Sequence, residues 1–531
     1  MKLSRCLLYL IVFFFSAVFY CSADTYVAQN AAGASSGADC ADAHPASWFN
    51  SSANWGTESG KISPGTTVHL CGTISTNLTV SGSGSSGSPV TVLFESGANL
   101  TQSGCGGPFI SMSNLNYVTV DGGTNGTIQN SGCATTGTHG SSKGIVAQSC
   151  TNCEIRNLTI MNIYIHSGSN TEIDQTQSNC IVYSGDNFSI HDNTLHDAGW
   201  CLYLQGSGVN NRIYNNNLYN IDHGIIFTPS CCGATAGPIY IYNNHIHDYA
   251  NWDNSSNGYH HDGIHCYTVP SPYPQSSGTP VQGAHMAGFW LYNNLFDGNV
   301  GGNATGHVFL EPGVQTDGTA TPCMDSTSQL HIFGNVLIGN TANGNIDLGR
   351  DSAHPLTTPI DFFDNTVFGS SAANGREVVF ENVKSANTKN NIVGGANKLW
   401  DGVPYANLDY NGYINCPPGT SFNCWPVSSG SNNFSTWLSQ CACDANAVNS
   451  QANTGGVDQS TGTLAAGSVM IGVGTNLTNA VSGWPSEQQT ALTTDRNGAA
   501  RGDGNWDIGA LSFGSTEPTP PPPTNLSGVP Q

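Results

Sequence analysis

Charged residues make up only 9% of this 531-residue chain, and just 13 of them are Lys or Arg. Against 35 Asp and Glu they leave a formal net charge of −22. A surface so poor in bases attracts neither nucleic acid nor an anionic membrane, so both are excluded as partners. Long apolar runs are also missing. After residue 23 no stretch approaches the roughly 18 apolar residues of a membrane helix, so no transmembrane segment is expected. What abounds is Gly (64 residues), with Ser, Thr and Asn, which suits a turn-rich all-β protein and argues against a helical one.

The chain opens with Lys2 and Arg5, an apolar run from Leu7 to Tyr20, then Cys21-Ser22-Ala23. This pattern predicts a secretory signal peptide over 1–23, cut after Ala23, and a secreted, extracellular protein. Tyr20 before Cys21 does not suit a lipoprotein cleavage site. Cleavage leaves 16 of the 18 cysteines, and in an exported protein disulfides are their expected state. Cys180 and Cys201 begin the similar phrases CIVY and CLYL. Were these successive coils in register, the two backbones would lie about 5 Å apart, and a disulfide is expected. Cys150-Thr-Asn-Cys153 and Cys441-Ala-Cys443 lack the second ligand pair of a zinc site.

One phrase recurs: an apolar residue, a spacer, Asn or Asp, Asn, a spacer, an apolar residue. It reads IHDNTL at Ile190–Leu195, IYNNNL at Ile213–Leu218, IYNNHI at Ile241–Ile246 and LYNNLF at Leu291–Phe296. IFGNVL at Ile332–Leu337 and FFDNTV at Phe362–Val367 are weaker copies. Self-similarity at a period of tens of residues marks a solenoid, and the apolar–polar alternation makes each unit strand. An Asn repeated once per coil stacks on itself at about 4.8 Å, where side-chain amides donate and accept along the column. Asn also tolerates the left-handed conformation of sharp turns.

TYVAQNAAG at Thr25–Gly33, SPGTTVHLCGTI at Ser63–Ile74 and GSPVTVLFESGANL at Gly87–Leu100 resemble the opening of secreted β-helix proteins of the pectin-lyase-like superfamily. RGDGNWDIGALSF at Arg501–Phe513 resembles that family's closing strand. The resemblance implies an all-β fold, a right-handed parallel β-helix (solenoid) over 24–514. The expected layout is an N-terminal cap and first coils at 24–104, regular coils at 105–395 and an irregular C-terminal capping section at 396–514. That section carries Trp400, Trp425, Trp437 and Trp484 over the open end, and a Pro-rich flexible tail follows at 515–531. A monomer is expected. The superfamily spans many chemistries, so activity must be argued from the site.

A second strand opens most coils: GWCLYL, HGIIF, DGIHCY, HVFLE and NIDLGRD. Alternation points Leu202, Ile225, Ile264, Val308 and Ile346 inward and Tyr203, Ile226, His265, Phe309 and Asp347 outward. Beside this face the repeat spacing stretches from 23 residues (Ile190 to Ile213) to 50 (Ile241 to Leu291) and 41 (Leu291 to Ile332). Long loops on a rigid scaffold are where sites are built. The first insertion holds HHDGIH at His260–His265, with aromatic residues around it.

The expected catalytic set is Asp262, His265, Glu311, Asp347 and Arg350, with His261, Tyr267, Tyr259 and Trp252 binding substrate. Glu311 and Asp347, one coil apart and two residues offset, have backbones about 8 Å apart, nearer the inverting than the retaining glycosidase geometry. Uronate elimination instead needs a base (His261, His265 or Tyr267) and a cation, either Arg350 or Ca2+ held by Asp347 and Asp351. His191, His196, His245 and His247 sit in Asn-turn phrases and read as ladder or turn residues. Polygalacturonase and pectate lyase signatures are missing, and the Asp222-His223 dipeptide carries no role by itself. The expectation is an extracellular polysaccharide as partner and cleavage of its glycosidic bonds, with hydrolysis preferred over elimination because net charge repels acidic polymers. The competing expectation is a non-catalytic carbohydrate-binding or adhesive scaffold.

Overall fold

The computed structural model describes residues 24–516 except 105, 131–141, 164–177, 230–235, 250–260, 267–284, 303, 311–322, 340, 342–343, 350–354, 370–375, 396–397, 416–433 and 451–452. Its strands form sheets of 14 and 22 members, joined throughout by parallel ladders. Each full coil gives one strand to the first sheet and two to the second, so the stack has three faces. One such coil runs through Met286–Tyr292, Leu295–Asp297 and Ala304–Leu310. The chain is a right-handed parallel β-helix, as expected.

The apolar residues of the repeat stack in register along the core. On the first face Ile155, Ile190, Ile213, Ile241, Leu291, Ile332 and Phe362 follow one another, each at most 3% exposed. The turn after this face carries the Asn column. Asn193, Asn216, Asn244, Asn294, Asn335, Asn365, Asn391 and Asn411 are buried, and each Nδ2 donates to the Oδ1 of the next at 3.0–3.1 Å. Each amide also satisfies a carbonyl of the preceding coil, as Asn216 does at Ile190 O (2.9 Å). The residue before each ladder Asn turns the corner left-handed: Asp192, Asn215, Asn243, Asn293, Gly334, Asp364, Asn390 and Tyr410 have φ of 52–65°. Two different demands, a left-handed corner and a stacking amide, thus select the two polar letters of the repeat. The column ends on Asp444, which accepts from Asn411.

Phe49 of the helix Ala46–Phe49 and Trp55, whose indole N–H donates to Phe49 O (2.7 Å), cover the first coils. At the other end the strands Lys398–Asp401, Asn407–Asp409 and Gly412–Ile414 continue the coils. The helix Phe434–Cys441 then lays Trp437 over Tyr413, and Trp400 donates to Tyr413 Oη (2.9 Å). Trp425 lies outside the described residues.

Beyond residue 453 the chain runs along the side of the stack rather than over its end. Met470 and Ile508 pack on Phe368, Ile392 and Ile414, while Leu477, Leu492, Trp484 and Trp506 cover Trp290, Tyr292, Phe333 and Phe363. Arg501–Phe513, expected as a closing strand, forms none. Side chains satisfy its backbone instead. Asp495 accepts from the N–H groups of Asn497, Ala499 and Ser512, and Arg501 donates to Gly509 O.

Cys40–Cys71, Cys266–Cys323 and Cys441–Cys443 are disulfides, the last removing that pair from any metal role. The pairing expected for Cys180 and Cys201 is corrected. Ile181 pairs with Leu202, so the two cysteines stand side by side in register, yet both remain thiols. Burial, then a hydrogen bond with Cys180, pushes the Cys201 thiol far above its ordinary value and suppresses the thiolate that exchange requires. Among the described residues no helix is long and apolar enough to cross a membrane.

Candidate active site

The third face carries the outward column read from alternation. Tyr203 pairs with Ile226, Ile226 with His265, His265 with Phe309 and Phe309 with Asp347. The column continues through Val379 to Asp401. Two clusters of titratable side chains lie on it, two coils apart.

The first cluster forms where the second face bends into the third. His223 pairs in register with Asp262, and Gly224 and Gly263 follow them at the bend. A Cβ on Gly224 would lie 2.4 Å from Gly263 O, and one on Gly263 2.6 Å from His307 O, so only glycine fits this close backbone approach. Asp222, fully buried, accepts from His223 Nδ1 and from His261 Nδ1, both at 2.6 Å. Burial opposes its charge, but the two histidines outweigh it and hold the Asp222 carboxyl below its ordinary range. His223 Nε2 lies 3.1 Å from His265 Nδ1 and 3.4 Å from Asp262 Oδ2. His265 Nδ1 lies 3.1 Å from the same Asp262 oxygen. Asp262 Oδ1 accepts from Gly306 N at 3.0 Å. Burial lowers His223, yet Asp222 and Asp262 more than offset it and raise the imidazole to about 10.

The second cluster is centred on Asp347, which is 2% exposed. Burial, then the charge of Glu381, raises its carboxyl to about 7 against the pull of Arg376. Arg376 Nη2 lies 4.0 Å from Asp347 Oδ2, and Arg376 Nη1 is 3.2 Å from Asp401 Oδ2. Burial would raise Asp401, but hydrogen bonds from Lys398 (2.8 Å) and Arg376 outweigh it and hold that carboxyl low.

Of the residues singled out from sequence, Asp262 and His265 meet, and Asp347 stands further along the same column with Phe309 between. His261, expected to bind substrate, is fully buried, with its ring on Asp222. Glu311, Arg350, Asp351, Tyr267, Tyr259 and Trp252 lie outside the described residues. Sequence reasoning missed Asp222, His223, Arg376, Glu381 and Asp401. A signal existed for Glu381, which closes REVVFE as Glu311 closes HVFLE. Chemically, the first cluster can hold a cation or pass a proton, and the second pairs a neutral carboxyl with a charged one.

No family model matches the sequence, and no curated protein matches it. Among solved structures the chain is similar to the crystal structure of pectate lyase Pel9A, at TM-score 0.47 and 12% identity, covering 92% of this chain and 96% of that one. It is similar to an alginate lyase from Paenibacillus sp. str. FPU-7, at TM-score 0.41 and 13% identity, with 68% and 99% covered. A GH136 lacto-N-biosidase from Eubacterium ramulus follows at TM-score 0.30 and 11% identity, with 68% and 66% covered. Scores this low give no basis for carrying a residue role or a substrate over to this chain.

Proposed function

We propose that the third face binds an extracellular polysaccharide and hydrolyses its glycosidic bonds, with Asp347 as general acid and Glu381 as general base. The carrying observation is the carboxyl of Asp347, raised to about 7 in a buried setting beside Glu381. A carboxyl that keeps its proton near neutrality is the donor that glycoside hydrolysis needs. Gly349 pairs with Glu381, so Glu381 stands one coil on and two residues along from Asp347. That offset separates the two backbones by about 8 Å, and side chains rising in parallel from them would keep the carboxyl groups near the roughly 6.5–9.5 Å spacing of inverting enzymes. Asp347 would give its proton to the glycosidic oxygen as Glu381 takes one from the attacking water. Arg376 anchors Asp347 from the side. The disulfides support an exported protein.

The test is a screen of the purified protein against neutral and uronate-containing polysaccharides, recording new reducing ends and ultraviolet absorbance of unsaturated uronates. Reducing ends without absorbance are expected, lost in Asp347→Asn and Glu381→Gln. Absorbance rising with the reducing ends would replace hydrolysis by elimination, and silence across the panel would leave a non-catalytic scaffold.

A further inference from the structure

The Asp222–His265 cluster has a feature that polysaccharide hydrolysis does not use. Three donor atoms from two adjacent coils converge: His223 Nε2, Asp262 Oδ2 and His265 Nδ1, separated by 3.1, 3.1 and 3.4 Å. We propose that these three atoms form a binding site for a divalent transition-metal ion of the zinc type.

The spacing suits such an ion. Bonds of about 2.0–2.1 Å put neighbouring ligands roughly 3.0 Å apart at right angles and roughly 3.3 Å apart in a tetrahedron. The observed triangle falls across that interval, so one ion reaches all three donors with small side-chain adjustments.

Groups behind the triangle orient its donors. A ligating imidazole normally gives its other N–H to a carboxylate, which fixes the tautomer. His223 Nδ1 does so to Asp222 at 2.6 Å, so Nε2 faces the centre, where a bound ion would replace its proton. Asp222 is itself held by His261 at 2.6 Å. Asp262 spends Oδ1 on Gly306 N and turns Oδ2 to the centre. The side chains are 5%, 0% and 8% exposed for His223, Asp262 and His265, so the site is dry on most sides.

The donor set selects the ion. Two imidazole nitrogens and one carboxylate oxygen suit zinc, cobalt, iron or nickel, whereas Ca2+ takes six to eight oxygens. Three protein ligands also leave coordination positions open. Without metal, the two rings sit as an N–H···N hydrogen bond places them, and that contact is the competing account of the same geometry. A more exposed group, His245, His247 and Asp297, is the competing location.

The experiment uses chelator-treated full-length protein titrated by calorimetry with Zn2+, Co2+ and Ca2+ separately. One equivalent of Zn2+ and of Co2+ is expected, with no Ca2+ bound at this site. His265→Ala and Asp262→Asn should each weaken Zn2+ binding by more than about a hundredfold, while a His245→Ala/His247→Ala variant keeps it. Asp262→Asn disturbs a backbone contact, so a readout on the wild type guards against misfolding. Cu2+ loaded at one equivalent should show electron paramagnetic coupling to two imidazole nitrogens. No bound ion, binding retained in folded His265→Ala, loss on changing His245 and His247, or fewer than two coupled nitrogens would each overturn the site. The proposal is independent of polysaccharide cleavage, since none of these readouts measures activity.

Discussion

Arg501 Nη1 lies 3.7 Å from Asp364 Oδ1, and both side chains are 1% exposed. Asp364 is a left-handed corner of the Asn turn, and Arg501 belongs to the segment lying along the side of the stack. The pair is therefore a buried pin between the coils and their side cover. Arg501→Ala strands Asp364 in a dry site and removes the side-chain donor to the carbonyl of Gly509. Asp364 can take up a proton when the guanidinium is gone, so a loss of about 1–3 kcal/mol is expected. Urea unfolding measures it, and limited proteolysis should cut first within 453–516.

The pH dependence of stability has a definite sign. Burial raises Asp347, Asp364 and Asp444 from the ordinary 3.8 to about 7 in the fold. The folded state holds these protons more tightly than the unfolded chain. Their contribution is complete below about pH 4 and is lost as pH rises to about 7. Asp325 and Asp401 are held low, so their contribution is lost as pH falls below the ordinary carboxyl range. From these groups, Tm should be highest near about pH 4 and fall as pH rises towards about 7. Asp444→Asn, which extends the Asn column by one amide, should raise Tm at pH 8 and leave it nearly unchanged at pH 4.

Catalysis should follow the same carboxyl in the opposite sense to a base. With Asp347 as proton donor, turnover falls as pH rises through about 7. Asp347→Asn and Glu381→Gln each lower it by about a hundred- to ten-thousand-fold, with circular dichroism unchanged. A rate–pH profile rising through that range would assign Asp347 as a base instead.

The Asn turn predicts contrasting neighbours. Asn294 Nδ2 serves Ile241 O, Tyr292 O and Asn335 Oδ1, so Asn294→Ala leaves several buried groups unpaired, at about 2–4 kcal/mol. Asn293, with φ of 56°, contributes its conformation. Asn293→Gly should be nearly neutral in chemical denaturation, and Asn293→Val should cost about 1–2 kcal/mol.

Thiol chemistry separates register from bonding. Alkylation in denaturant without reductant should label Cys150, Cys153, Cys180 and Cys201 and leave Cys266 linked to Cys323. A recovered Cys180–Cys201 crosslink in peptide mass spectra would restore the original expectation.

The solenoid was legible because each repeat letter answers a separate physical demand, and the outward column from Tyr203 to Asp347 followed from alternation alone. Alternation fails at the bend where Gly224 and Gly263 sit, which is why Asp222 and His223 gave no signal of joining Asp262 and His265. Arg376 and Glu381 lay within reach of the same reading, one coil beyond the point where the acidic phrase NIDLGRD drew attention. The side cover over 453–513 has no period, and its backbone is satisfied by Asp495 and Arg501, so no pattern announced it.

That cover also sets an order of events during synthesis. Residues 453–513 leave the ribosome after the coils they protect, so Trp290, Tyr292, Phe333 and Phe363 face solvent or a chaperone while the coils already stack. A chain stopped before residue 453 should therefore complete its solenoid yet expose an aromatic strip along one flank, and fail by self-association rather than by unfolding.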